Sequence, residues 1–312
     1  DICRGVIGLR KIQNVTFVGL GALGCAYAGK LFDMNPQGLK VLAGGERATR
    51  YKSNGFYING KRYDFTYVSP EESGEPADLI IVVVKTHQLS QAIIDMKNQV
   101  GSNTVIMSLL NGITSEEVIG ETYGYEKVLY AVSYGLTANR QGNHVNFTSY
   151  GNIAFGEKTN HTYSEKVLAV KELFDKSGIP YTIPENMLHS LWWKFMFNVG
   201  INQCSAVTRG KYHTFQNVGA ARQLLDSAMR EVAVLSQKAG VYLNEQDIKK
   251  WYDVLATLNP NSRTSMLEDI ESGRKTEVDA FAGTVCELGQ KYGVETPVNR
   301  TLLNIIKVIE AR

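Results

Sequence analysis

Asn14-Val15-Thr16-Phe17-Val18-Gly19-Leu20-Gly21-Ala22-Leu23-Gly24 is the stretch that decides the fold. Residues 14–20 form a short apolar run bounded by glycine, which reads as a buried parallel strand. Residues 21–34 then place Ala22, Leu23, Ala26, Leu31 and Met34 in a helical pattern. Gly19, Leu20, Gly21, Ala22, Leu23 and Gly24 thus spell GxGxxG between a strand and a helix. There Gly19 allows the tight turn, Gly21 lets a pyrophosphate approach the backbone, and Gly24 lets helix and strand pack closely. The helix N-terminus favours the anion. The pattern alone is weak, but in this context it points to a dinucleotide rather than to a mere turn.

Outward from that turn, a second strand fits residues 40–43, followed by a short helical segment over 46–53. Residues 56–68 alternate around Asn59-Gly60, a strong hairpin signal. Residues 77–84 are almost wholly apolar and end at Lys85; they read as another buried strand. A helix over 89–97 follows, then a strand over 104–110 that stops at Asn111-Gly112. From 127 to 155 short runs separated by Asn, Gly and Thr read as antiparallel strands. A helix over 163–176 and a last strand near 180–183 follow. Beyond Pro184 the periodicity is helical: 187–204, 218–239, 245–258, 277–291 and 297–309. Gly240 and Gly293 fall where helix C-caps belong. The expected architecture is an α/β Rossmann-type dinucleotide-binding domain over residues 1–184 and an all-α domain over 185–312, which would carry substrate and catalysis.

Composition narrows the class. In 312 residues, 44% hydrophobic content with a net charge of +2 excludes general disorder and argues against a nucleic-acid protein. Apolar runs fall short of the ~18 residues a membrane helix needs. Cys3, Cys25, Cys204 and Cys286 are scattered, with no CxxC pair, and the five histidines lack metal-ligand spacing, so no metal is expected. Cys25 and Cys286 read as small core residues. The start carries no apolar core like that of a signal peptide, and a reduced, cytoplasmic setting is the default.

Several residues then stand out. At the end of the second strand, where an Asp or Glu would bind ribose hydroxyls, Arg47 stands with Arg50 one turn on; arginine there accommodates a 2′-phosphate. Glu46 is a confusing neighbour, and a solvated surface charge is the plain alternative for Arg47. Lys85 and Asn111 sit at the carboxyl ends of adjacent strands, where open α/β sheets bind ligands; a snorkelling lysine and an ordinary turn former are the alternatives. In the helix over 187–204, Lys194, Asn198 and Asn202 recur every fourth residue and share one stripe of an otherwise apolar helix. A buried unpaired amide or ammonium costs ~1–3 kcal/mol or more. The stripe must therefore meet water, protein partners or a ligand; beside Trp192 and Trp193 it reads as a cleft wall. Ser265 and Glu277 close the set. Their plain roles are helix start and, after Thr276, helix-dipole carboxylate.

These residues, in this order, resemble the ketopantoate reductase (2-dehydropantoate 2-reductase) family over nearly the whole chain. GLGALG, Val-Lys-Thr-His-Gln at 84–88 and Leu-Leu-Asn-Gly at 109–112 look like its cofactor-side motifs. Trp193-Lys194 with Asn198 and Asn202, Ser265-Met266-Leu267-Glu268-Asp269 and Thr276-Glu277-Val278-Asp279 look like its substrate-side motifs. The resemblance implies that Lys194 is the acid protonating the carbonyl oxygen and Glu277 its partner. It also implies that Lys85 and Asn111 border the cofactor, with Gln88 in the same cofactor-side motif, and that Asn111, Asn198, Asn202 and Ser265 hold the substrate; Arg47 joins the NADP site from its own place after the second strand. One position departs: where the family often has Asn three residues before the serine, this chain has Ser262, with Asn261 next to it.

The implied activity is NADPH-dependent reduction of ketopantoate to pantoate, a step of pantothenate biosynthesis. The partners are then a small keto acid and a second copy of the chain in a homodimer, with no nucleic acid and no membrane. Two alternatives differ in what they need. A reductase of another 2-oxo or 3-hydroxy acid would keep every residue named. A non-catalytic NADP-binding sensor would need no proton donor, and Lys194, Glu277 and Asn111 together argue against it.

Overall fold

The computed structural model describes residues 11–312, and the chain divides into two compact units. One comprises the described residues up to Leu110 together with 114–187, the other 111–113 together with 188–312. Asn111 thus clusters with the second unit, whereas the sequence reading gives it to the first domain. Cys3 lies outside the described residues.

In the first unit the chain runs β1 (Val15–Val18), α1 (Ala22–Met34), β2 (Leu39–Leu42), α2 (Gly45–Asn54), β3 (Phe56–Ile58), β4 (Lys61–Tyr63), β5 (Thr66–Val68), β6 (Leu79–Val82), α3 (Leu89–Asp95) and β7 (Val105–Ser108). It continues through α4 (Ser115–Tyr123), β8 (Val128–Tyr134), β9 (Thr137–Gln141), β10 (His144–Ser149), β11 (Asn152–Gly156), α5 (Glu165–Ser177) and β12 (Tyr181–Thr182). An eight-stranded sheet has the order β12-β11-β8-β7-β6-β1-β2-β5, and β4-β3-β10-β9 form a second sheet. In the large sheet only β8 and β11 pair antiparallel.

β1, β6 and β7 are buried at every position, because helices cover both faces. On one face Phe17 and Met107 pack with Tyr27 of α1 and Phe174 of α5; on the other, Val18 and Ile106 pack with Ile93 of α3 and Ile119 of α4. β1 pairs with β2 on one side and β6 on the other, so the strand order reverses there. The turn after β1 therefore opens at the topological switch point, where such sheets bind ligands.

Two strand readings change. Residues 56–68 do not remain one hairpin. β3 and β4 pair around Asn59 (φ 47°) and Gly60 (φ 82°), as a two-residue turn requires, but β5 pairs in parallel with β2. Within 127–155 the pairs β8·β11 and β9·β10 are antiparallel, as expected, but the region also joins strands outside it in parallel: β8 runs parallel to β7, and β10 parallel to β3. Alternation specifies a strand and its faces, but not the partner at its edge.

The second unit is helical: α6 (Met187–Thr208, begun in the first unit), α7 (Tyr212–Asn217), α8 (Gly219–Lys238), α9 (Glu245–Thr257), α10 (Ser265–Glu271), α11 (Thr284–Tyr292) and α12 (Pro297–Glu310). The expected helix over 277–291 instead begins with a π-helical turn, Asp279–Gly283, and continues as α11. Its cause is a side chain: the Ala282 N–H donates to Gln203 Oε1 of α6 at 3.0 Å, outside the usual helical ladder. α7 escaped the sequence reading; six residues give too little periodicity. Cys25 is core, as expected, but Cys286 is only half-buried. Among the described residues no cluster of potential metal ligands occurs, and no helix is long and apolar enough to cross a membrane.

Candidate functional site

The fingerprint turn of the first unit divides its glycines by cause. Gly19 has φ 106°, and a Cβ there would lie 2.4 Å from the Val83 carbonyl oxygen. At Gly24 a Cβ would lie 2.6 Å from the Gly19 oxygen. Both are required by the fold itself. Gly21 is different: a Cβ there would meet nothing within 4 Å, and its backbone is extended at φ −68°, ψ −173°. Its side is open. Gly21 is the N-cap of α1, with no side-chain cap and no acidic residue in the first turn. The first donors and the positive end of the helix dipole are thus left to a partner from outside the helix, and an anion suits both.

Arg47 is exposed in the first turn of α2, directly after β2. Lys85 is half-buried three residues past β6, and its N–H donates to Gln88 Oε1 at 3.2 Å. Gln88 itself is exposed at the end of a 3₁₀ turn, Thr86–Gln88.

In the second unit the four polar residues assigned to substrate, distant in sequence, form one directed chain. Ser265 Oγ donates to Asn202 Oδ1 at 3.1 Å, and Asn202 Nδ2 donates to Asn198 Oδ1 at 3.2 Å. Asn198 Nδ2 approaches Asn111 Oδ1 at 3.5 Å, and Asn111 Nδ2 donates to Glu277 Oε2 at 3.3 Å. The ends fix the direction. The Met266 N–H, which can only donate, also points at Asn202 Oδ1 (3.3 Å), while at the other end a carboxylate accepts. Each amide therefore turns its oxygen toward Ser265 and its nitrogen toward Glu277.

Lys194 lies one helical turn before Asn198 on α6. Desolvation brings its pKa down to about 8, against the opposing pull of the Glu277 charge. Asn198 and Asn202 are buried, at 8% and 5% exposure, and Lys194 is half-buried, so the amide end of the stripe does not face solvent; Glu277 is buried as well, at 6%. The tryptophans, however, do not wall it. Trp193 stacks on Trp251 of α9 at 4.0 Å between ring centres and donates to the Asp247 carbonyl at 2.9 Å; Trp192 is core. These contacts hold α6 against α9.

Thr264, rather than Ser265, caps α10, leaving the Ser265 hydroxyl to Asn202. Thr276 Oγ1 accepts from the Val278 N–H at 3.2 Å, as a capping threonine does, but Glu277 beside it turns inward to Asn111. Gln203, fully buried, escaped the sequence reading. It links Ala282 to Asn299 (Nε2 to Oδ1, 3.1 Å) and so shapes the turn that follows Glu277. Its place after Asn202 on α6 was the available signal.

Two family models match. Ketopantoate reductase PanE/ApbA covers residues 15–160, and ketopantoate reductase PanE/ApbA C terminal covers 186–310. A 2-dehydropantoate 2-reductase of Aquifex aeolicus is 27% identical over 305 residues, spanning 96% of this chain and 97% of that protein. The ternary structure of D-mandelate dehydrogenase with NADH and anilino(oxo)acetate superposes with a TM-score of 0.85 at 23% identity, over 96% and 98% of the two chains. A dimeric ketopantoate reductase from Staphylococcus aureus superposes at 0.79 and 20% identity, over 96% and 99%. The two solved structures share the fold of this chain.

Proposed function

Because the chain belongs to the ketopantoate reductase family, whose members are oxidoreductases acting on CH–OH groups, we propose that it reduces ketopantoate (2-dehydropantoate) to pantoate with NADPH. The observation that carries this reading is the directed chain from Ser265 through Asn202, Asn198 and Asn111 to Glu277, whose two α6 members, Asn198 and Asn202, share a helix face with Lys194.

In this reading residues 1–184 are the dinucleotide domain and 185–312 the substrate and catalytic domain. Gly19 through Gly24 form the phosphate turn, with the open side of Gly21 as the cradle. Lys85, Gln88 and Asn111 border the dinucleotide, and Arg47 pairs with a 2′-phosphate. When bound, the dinucleotide supplies the hydride that reduces the ketone carbon.

Lys194 supplies the proton. With a pKa near 8 it is an ammonium at neutral pH, yet acidic enough to release its proton to the alkoxide oxygen that develops. Glu277 keeps that ammonium charged, and Asn111 keeps Glu277 oriented. The hydroxyl of Ser265 and the amides of Asn198 and Asn202 bind the carboxylate and hydroxyl ends, an orientation effect. A homodimer in the cytoplasm completes the proposal, supported by the dimeric S. aureus relative.

A second reading, reduction of another 2-oxo acid, draws on the likeness to the D-mandelate dehydrogenase complex and on Ser262 at the departing position. Steady-state oxidation of NADPH with ketopantoate and a panel of 2-oxo acids separates the two. Ketopantoate should give the highest kcat/KM. A larger value for an aromatic 2-oxo acid would transfer the assignment to the second reading.

A further inference from the structure

Arg140, on β9 of the small sheet, belongs to no motif, yet its guanidinium reaches the fingerprint turn. Nη1 donates to the Leu20 carbonyl, Nε donates to the Gly142 carbonyl at 2.9 Å, and Cζ lies 5.7 Å from the centre of the Phe56 ring. The Leu20 carbonyl also accepts from the Cys25 thiol, at 3.6 Å. Leu20 and Cys25 are buried, whereas Arg140 is exposed.

Two consequences follow. The Leu20 carbonyl and the Gly21 N–H belong to one trans peptide plane and point in opposite directions. Holding the carbonyl therefore also fixes the Gly21 N–H, which points away from Arg140 and Cys25. The second consequence is electrostatic. A cation beside the positive end of α1 is unfavourable, and neither an acidic residue in the first turn nor a side-chain cap offsets it. An exposed arginine could turn into water instead; here a ring face and two carbonyls hold it in place. Such a fixed excess of positive charge is complementary to an anion.

We propose that Arg140 is a dinucleotide-binding residue: it orients the Leu20–Gly21 peptide for the pyrophosphate and adds its own charge to the phosphate site. The proposal rests on the dinucleotide reading above. It differs from the role given to Arg47, because the pyrophosphate is common to NADH and NADPH.

The test is direct binding of NADH and NADPH, by fluorescence titration at several salt concentrations, to wild type, Arg140→Ala and Arg140→Gln. Thermal midpoints of the dinucleotide-free proteins are measured alongside. Arg140→Ala should weaken both dinucleotides roughly 10- to 100-fold, the range for a lost hydrogen bond to a charged group. Arg140→Gln keeps a donor for the Leu20 carbonyl but no charge; it should remain weak and show a shallower salt dependence than wild type. The dinucleotide-free midpoints should stay level or rise, since a like charge has left the helix end. Variant affinities within twofold of wild type overturn the proposal, as does full recovery in Arg140→Gln, which would leave only a structural clamp. A wild type that binds neither dinucleotide would remove the underlying reading instead, and the proposal with it.

Discussion

Asn202 accepts two hydrogen bonds on one amide oxygen, from Ser265 Oγ at 3.1 Å and from the Met266 N–H at 3.3 Å. A single side chain of α6 thereby anchors the start of α10 and, through its nitrogen, orients Asn198. In the proposed reading substrate recognition and helix anchoring fall on one residue, so substitutions must be chosen to separate them.

Asn202→Ala leaves the buried Met266 N–H without its acceptor, a penalty of ~1–3 kcal/mol. It should lower the thermal midpoint and raise the keto-acid KM, with NADPH affinity kept within about twofold, as expected for loss of a uniform substrate contact. Asn202→Asp retains the acceptor for Ser265 and Met266 but cannot donate to Asn198. Its midpoint should stay nearer wild type while KM still rises. Weakened NADPH binding in either variant would place this stripe against the cofactor.

Lys194→Ala should lower kcat by ~10²–10⁴-fold, the contribution of a positioned general acid, with the fold and NADPH binding kept. Glu277 retains the Asn111 amide in that variant. A midpoint that collapses while kcat per folded molecule stays within a few-fold of wild type would make Lys194 structural.

The pH dependence follows from the same lysine. If Lys194 is the acid, as proposed, reduction needs the ammonium, so wild-type kcat for the keto acid should fall as pH rises through about 8; the reverse oxidation, needing the amine, should rise. For stability the sign is opposite to that of an ordinary ion pair. The folded pKa of about 8 lies below the ordinary 10.5, so between these values the folded chain binds fewer protons than the unfolded chain. The lysine's contribution to stability should therefore improve with pH across that window, and its penalty is complete below 8. Denaturant midpoints of wild type and Lys194→Ala between pH 7 and 10 should show the wild type gaining on the variant as pH rises; a wild type that loses ground over that range would refute the lowered pKa.

The glycines of the fingerprint turn should separate by phenotype. Gly21→Ala meets no neighbour and should fold with a midpoint close to wild type while losing dinucleotide affinity. Gly24→Ala forces a Cβ to 2.6 Å from the Gly19 oxygen and should lose stability first. Equal loss of midpoint in both variants would mean that the open side of Gly21 is packing space and not a cradle.

Arg47→Ala tests cofactor choice. A guanidinium paired with a 2′-phosphate predicts that kcat/KM for NADPH falls while that for NADH holds. An unchanged NADPH preference removes Arg47 from the site.

Much of this could be read from neighbours along the chain. GxGxxG after an apolar run gave the strand, turn and helix, because the steric demands on Gly19 and Gly24 arise within a few residues of backbone and an adjoining strand. The spacing of Lys194, Asn198 and Asn202 gave their common face, because 3.6 residues per turn is a local property. Other features needed the folded chain. That the stripe turns inward, that Asn111 meets Glu277 across 166 positions of sequence, and that β5 leaves its hairpin for β2 depend on which distant surfaces bury each other. Arg140 is the clearest case. Nothing near it in sequence distinguishes it from a surface arginine, and only the pairing of β9 with β10 and its packing beside α1 carry its charge to Leu20. Local sterics and periodicity are written in short windows; the meeting of a guanidinium and a carbonyl 120 residues apart is set by the packing that brings them together.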